Sequence, residues 1–145
     1  MAVGRRGRKH KMNNESLPEV FLADLEIYMP DYRQFVVKSD RLEIIIPEKS
    51  QETGELHVWL DSDEITVGVG EHFHIHFDIY SNFSTLVERI KDASRQANQF
   101  IQAMLADKIV IYVSSKSAGC YYKGSSEEPL VKPGDRKMVW SGKIE

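Results

Sequence analysis

His72, His74, His76 and Asp78 recur at every second position, interleaved with Phe73, Ile75, Phe77 and Ile79. Successive side chains of a strand point to opposite faces. A predicted strand from His72 to Asp78 therefore sets three imidazoles and a carboxylate on one side and an apolar row on the other. Imidazoles two residues apart on a strand are separated by about 7 Å, close enough for two of them to share a metal ion. His72, His74, His76 and Asp78 are thus a candidate ligand set for a divalent transition metal such as zinc. The same row also reads as a solvated or partner-facing sheet face. Catalytic metal sites draw a further ligand from elsewhere, and the chain has no second His or Cys cluster; His57 is the only other histidine outside the basic N-terminal stretch. Both readings stand at this point.

Nothing else in the chain reads as a nucleophile or a phosphate cradle. Cys120 is the only cysteine and lies between Gly119 and Tyr121 in a predicted hairpin strand, the setting of an inert thiol. Gly68 and Gly70 fall within a strand and its turn with no helix starting after them, so they do not form a phosphate loop. The run His72-Phe-His74-Ile-His76-Phe resembles the signature of the histidine triad nucleotide hydrolases and transferases, whose middle histidine attacks the α-phosphate. That resemblance would give His74 the role. The chain departs from the pattern at Asp78, where the family has an apolar residue. It also carries the run ahead of its long helix, and Thr66 to Gly70 supplies no phosphate-reading Asn or Gln. A carboxylate on the histidine face would repel a phosphate. Cupin and metallo-β-lactamase spacings do not fit: positions 78 to 81 read Asp-Ile-Tyr-Ser, with no Glu after the second histidine and no adjacent Asp-His pair.

The elements that must position the histidine strand follow from periodicity. Leu17, Val20, Phe21, Leu25, Tyr28 and Met29 recur at helical spacing, with Ser16 and Glu19 as a capping box and Pro18 in the first turn, predicting a helix over Ser16 to Met29 that Pro30 ends. Tyr32 to Val37 and Arg41 to Ile46 read as strands joined at Ser39-Asp40, and Glu55 to Leu60 as a third. Ile65, Val67 and Val69 mark the inner face of a fourth. With the histidine strand these make a five-stranded antiparallel meander, apolar on one face. Phe83, Leu86, Val87, Ile90, Ala93, Ala97, Phe100, Ile101, Met104 and Leu105 trace the stripe of a long amphipathic helix that covers that face. Lys108 to Ser114 and Gly119 to Lys123 form a hairpin, and Arg136 to Ile144 a last strand. The fold class is α+β: an antiparallel meander packed against one long amphipathic helix, with an N-terminal helix and a C-terminal hairpin.

Length and composition bound the rest. A chain of 145 residues with 41% hydrophobic and 28% charged residues is an ordinary globular composition. No apolar run is long enough to span a bilayer, the N-terminus has no apolar segment of the secretory kind, and the single cysteine suits a reducing compartment, so a cytoplasmic protein without a membrane partner is expected. Arg5, Arg6, Arg8, Lys9 and Lys11 give residues 1 to 14 five positive charges and no acidic one; removing them from a net −3 leaves −8 on residues 15 to 145. The first fourteen residues are expected to be a basic disordered tail, either a nucleic-acid-seeking arm or sequence upstream of a start at Met12, and residues 15 to 145 a single domain. An acidic body repels nucleic acid and attracts basic partners.

The stretch Glu64-Ile-Thr-Val-Gly-Val-Gly70, leading into His72-Phe-His74-Ile-His76-Phe-Asp78 and on through a long helix to Lys108-Ile-Val-Ile-Tyr112, resembles small bacterial immunity proteins found beside polymorphic and contact-dependent toxins. The resemblance spans Arg41 to Val113, and the polar loop from Lys123 to Arg136 departs from the compact ending of such proteins. It implies a non-catalytic protein that neutralises a basic toxin domain by occluding it. Asp61, Asp63, Glu64 and Glu71 at the turns flanking the fourth strand, with His72, His74 and His76, are then the candidate partner-binding residues. Glu127 and Glu128 add to the acidic surface.

Overall fold

The computed structural model describes residues 15–38, 42–80, 85–128 and 132–144. The basic tail, the Ser39-Asp40 turn and Phe83 lie outside them. Helix α1 runs from Leu17 to Tyr28. Its capping box forms as the sequence predicts: the Glu19 N–H donates to the Ser16 hydroxyl oxygen at 3.3 Å and the Ser16 N–H to the Glu19 carboxylate at 3.0 Å. Leu17, Phe21 and Leu25 form its buried stripe.

The next segment departs from the strand predicted over Tyr32 to Val37. Tyr32–Phe35 is a 3-10 turn and not a strand, so the predicted strand from Tyr32 shortens to β1, Val36–Lys38. Local bonds override β-propensity here. The Tyr32 N–H donates to the Met29 carbonyl, the Gln34 amide to the Asp31 carboxylate at 2.7 Å, and the Tyr32 ring is buried with the Arg33 guanidinium 4.9 Å above it.

Strands β2 (Leu42–Ile46), β3 (Leu56–Leu60), β4 (Glu64–Val69) and β5 (Phe73–Asp78) complete an antiparallel sheet in the order β1-β2-β3-β4-β5. Ile44, Ile46, Leu56, Val58, Leu60, Ile65, Val67 and Val69 occupy its inner face. Helix α2, Leu86–Leu105, is capped by Thr85 and lays Ile90, Ala93, Ala97, Phe100, Ile101 and Met104 on that face. The small Ala93 and Ala97 let α1 approach, and the seam is polar where the helices meet. Ser94 donates to Asp24 at 2.5 Å, and the Asn98 amide donates to the Ser94 carbonyl at 3.0 Å and the Phe21 carbonyl at 3.4 Å. Ser94 and Asn98 are buried in this seam.

A second sheet, in the order β7-β6-β8-β9, closes the other end of the core. Its strands are β6 (Ile109–Val113), β7 (Ala118–Tyr122), β8 (Arg136–Val139) and β9 (Gly142–Lys143). The single last strand expected over Arg136 to Ile144 is two strands. Trp140 is drawn into the core, Gly142 takes a left-handed φ of +150°, and Asp107 holds Ser141 through its N–H at 2.9 Å and its hydroxyl. The β2–β3 loop is tied to the β8–β9 turn at Thr53, which is fully buried and whose hydroxyl lies 3.1 Å from the Ser50 carbonyl and 3.2 Å from that of Trp140.

Candidate functional site: the outer face of the five-stranded sheet

Register decides what shares the outer face. Ile45, His57, Gly68 and His74 stand in one row across β2 to β5, and Glu43, Trp59, Thr66 and His76 in the next. Diagonal neighbours on a sheet are within reach of aromatic side chains. Trp59 lies over Gly68: a Cβ placed there would meet Trp59 Cζ3 at 2.9 Å and His74 Cδ2 at 2.8 Å. The indole stacks on His57 with centroids 5.3 Å apart and an interplanar angle of 17°, and meets His74 edge-on at 5.4 Å. Gly68 thus makes room for a His57–Trp59–His74 aromatic layer, the usual use of a glycine within a strand where another group approaches closely.

Carboxylates frame this layer. His57 turns Nδ1 to Glu43 at 2.9 Å and Nε2 to Glu55 at 3.4 Å, so both ring nitrogens face acidic oxygens. His76 Nδ1 lies 3.1 Å from the Thr66 hydroxyl and 3.4 Å from Glu64. From Ser50 to Glu88 the chain has no lysine or arginine, yet it holds Glu52, Glu55, Asp61, Asp63, Glu64, Glu71, Asp78 and Glu88. The net charge of the acidic body resides in this stretch, mostly at the turns around β3, β4 and β5, with Glu88 in the first turn of α2.

The histidine row is shorter than the alternating pattern implies. β5 begins at Phe73, and the His72 N–H donates to the Val69 carbonyl at 3.0 Å while Val69 is also the register partner of Phe73. Two residues therefore oppose one, a bulge that re-aims the extra side chain. The His72 Nε2–H donates to the Glu52 carbonyl at 2.8 Å, away from the row. His74, His76 and Asp78 remain together on the outer face, exposed, while Phe73, Ile75 and Phe77 pack against the core. His72 lines instead a cleft of about 440 Å³ with Glu48, Glu52, Glu55, Glu71 and His57. Among the described residues no three His, Cys, Asp or Glu side chains converge as a metal-holding group.

The candidate acidic residues fall into two groups. Asp61, Asp63 and Glu64 stand at the β3–β4 turn beside the end of β5, where the Tyr80 hydroxyl donates to Asp63 and Glu64 is the register partner of Asp78. Glu71 stands at the opposite end of β4, in the His72 cleft. Sequence reasoning did not single out Trp59, Glu43, Glu55, Thr66 or Gly68 as site residues. The signal was the hairpin register, which sets Gly68 between two histidines and diagonal to a tryptophan.

The second sheet carries its own charged contacts. The Tyr112 hydroxyl donates to Asp135, which holds that carboxyl below the usual aspartate range and raises the phenol. Lys137 donates to Glu128 at 2.7 Å, lowering the Glu128 carboxyl and raising the amine. Burial, aided by the charge of Glu127, pushes the Cys120 thiol up to about 11.

No protein-family model, curated protein or solved structure matches this chain. The site has to be read from its own chemistry. No helix among the described residues is long and apolar enough to cross a membrane.

Proposed function

We propose that this chain is a binding protein without a catalytic step, which neutralises a basic protein partner by covering it with the outer face of the five-stranded sheet, as immunity proteins cover toxins. The supporting observation is the stretch from Ser50 to Glu88, which carries eight carboxylates and no lysine or arginine, with Glu55 at the His57 ring of the His57–Trp59–His74 layer. An aromatic anchor held in place by its neighbours, within a rim of one charge, suits recognition of a cationic surface. Trp59 would provide the packed centre, with Glu43, Glu55, Glu64 and Asp78 around it. The cleft of Glu48, Glu52, Glu55 and Glu71 would receive a protruding lysine or arginine, and Asp61, Asp63 and Glu64 would steer the approach. A cytoplasmic site of action belongs to the same reading.

The test is co-expression with a basic toxin domain, the product of the adjacent gene being the first to try. The expected result is a stoichiometric complex and relief of that domain's toxicity. Reversing Asp61, Asp63 and Glu64 to lysine should weaken the complex by about ten-fold or more at low salt and less at high salt. Binding that ignores both the reversal and Trp59→Ala would sink the proposal.

A further inference from the structure

β5 lies at an edge of its sheet, and its backbone is divided between two directions. The Ile79 N–H donates to the Asp63 carbonyl. Alternation along the β4–β5 register then makes Ile65–Phe77, Val67–Ile75 and Val69–Phe73 the pairs that exchange hydrogen bonds. The N–H and C=O groups of His74, His76 and Asp78 point the other way, to the open edge. This edge is also incompletely covered on the core side. Ile65, Val67 and Val69 of β4 are fully buried, while their β5 partners Phe77, Ile75 and Phe73 are only half-buried. Beside the end of the strand, where Arg89 donates to the Ile79 carbonyl at 2.9 Å, Tyr80, Leu86 and Val87 are 63%, 51% and 44% exposed. An edge that no other strand among the described residues pairs with, and that has an apolar flank, is a template for another strand.

We propose that the occupant is a second copy of this chain, paired antiparallel β5 to β5 across a two-fold axis through His76. The pattern along the strand is self-complementary in one register. Facing residues of an antiparallel pair lie on the same side of the sheet, so only registers that keep the outer and core faces matched are allowed. Of these, the one that sets His76 against its own copy gives all three outward residues a partner; shifting the axis by one residue either way leaves one of them unpaired within the strand. This register places Asp78 opposite His74 of the second copy, twice, which sets a carboxylate against an imidazole. On the core side it places Ile75 opposite Phe77 and Phe73 opposite Ile79, apolar against apolar, closing the half-buried row. The two five-stranded sheets become one sheet of ten strands, and the acidic aromatic face is presented twice. An isologous pairing of this kind closes on itself. The proposal does not rest on the partner reading above.

The test is the mass in solution of the whole chain, by sedimentation or light scattering over a concentration series. The expected wild-type result is a dimer that dissociates on dilution. His76→Pro removes an outward N–H that makes no bond to β4, so it should give a folded monomer, with circular dichroism and thermal melting as the control for folding. The second arm needs no backbone change. His74→Asp sets two carboxylates face to face and should weaken the dimer about ten-fold or more, whereas His74→Asp with Asp78→His restores the complement and should recover it. A wild-type chain that stays monomeric at every concentration would overturn the proposal, as would a dimer indifferent to both His76→Pro and the charge exchange.

Discussion

Gly68 gives the sharpest test of the aromatic layer. Its φ lies outside the left-handed region, so alanine is allowed by the backbone and should stabilise by about 0.4–1 kcal/mol through the unfolded chain. The new methyl carbon would stand 2.9 Å from Trp59 Cζ3 and 2.8 Å from His74 Cδ2, where ordinary contact begins at 3.4 Å. Both rings must withdraw by roughly 0.5–1 Å; the indole cannot do so without loosening its stack on His57, nor His74 without opening its edge contact with the indole. Each ring pair is worth about 0.5–1.5 kcal/mol. Losing the edge contact and weakening the stack should cost about 1–3 kcal/mol, so the net destabilisation of Gly68→Ala is roughly 0.5–2 kcal/mol. Denaturant unfolding measures it. Emission should move to the red and acrylamide quenching should rise, a change belonging to Trp59 because Trp140 is 3% exposed in the core. The deciding measurement is the double variant. With Trp59→Ala in place the exposed His74 can turn aside, and Gly68→Ala should become neutral or stabilising. If the substitution costs the same with and without Trp59, the indole is not what this glycine makes room for.

Three further outcomes are expected. Gly70 has a φ of +53°, and a Cβ there would fall 2.1 Å from the Thr53 carbonyl oxygen, so Gly70→Ala should destabilise by about 3 kcal/mol or more in urea unfolding and displace the Thr53 link to Trp140. The Cys120 thiol, pushed up to about 11, should resist iodoacetamide at pH 8 in the native protein and react once unfolded. The Asp135 carboxyl is held low in the fold, so its contribution is full above the ordinary carboxylate value of about 4 and is lost as pH falls through the folded value. Asp135→Asn should therefore lower stability at pH 7 and flatten its fall below pH 4 in an acid melting series.

Much of this fold was legible because burial imposes a period. The α1 cap, the inner faces of β3 and β4 and the α2 stripe from Ile90 to Met104 come straight from residue spacing, whereas Leu86 and Val87, which share that spacing, are exposed; the five-strand meander follows from turn residues between alternating runs. The misreadings share a cause: local bonds or tertiary packing overrode the pattern. Tyr32–Phe35 reads as the start of a strand but is held by Asp31 and the Met29 carbonyl. Trp140 reads as mid-strand but is drawn into the core, which splits the last strand in two. His72 reads as the first of three aligned imidazoles, and one bulged residue sends it to the Glu52 carbonyl. A period of two carries no information about a single inserted residue, so that error could not be corrected from the histidines alone.

The chemistry was less legible than the fold because it resides in pairings between strands. Glu43 and His57 are fourteen residues apart and Thr66 and His76 ten, and each pair meets only because the register is what it is. The same reasoning explains why β4 is buried on both faces. Ile65, Val67 and Val69 lie under the helices, and Thr66 and Gly68 lie beneath the side chains of β3 and β5. With β4 sealed, its neighbours β3 and β5 present an indole, imidazoles and the Asp78 carboxylate on this face, and β2 adds Glu43. Carboxylates crowded on one face repel one another, but at physiological salt the Debye length is about 8 Å and exposed charges farther apart than that interact weakly. The fold can therefore carry this face at small cost. A cationic partner that excludes water from it would meet the same charges far less screened, which is where their grouping has its largest energetic effect.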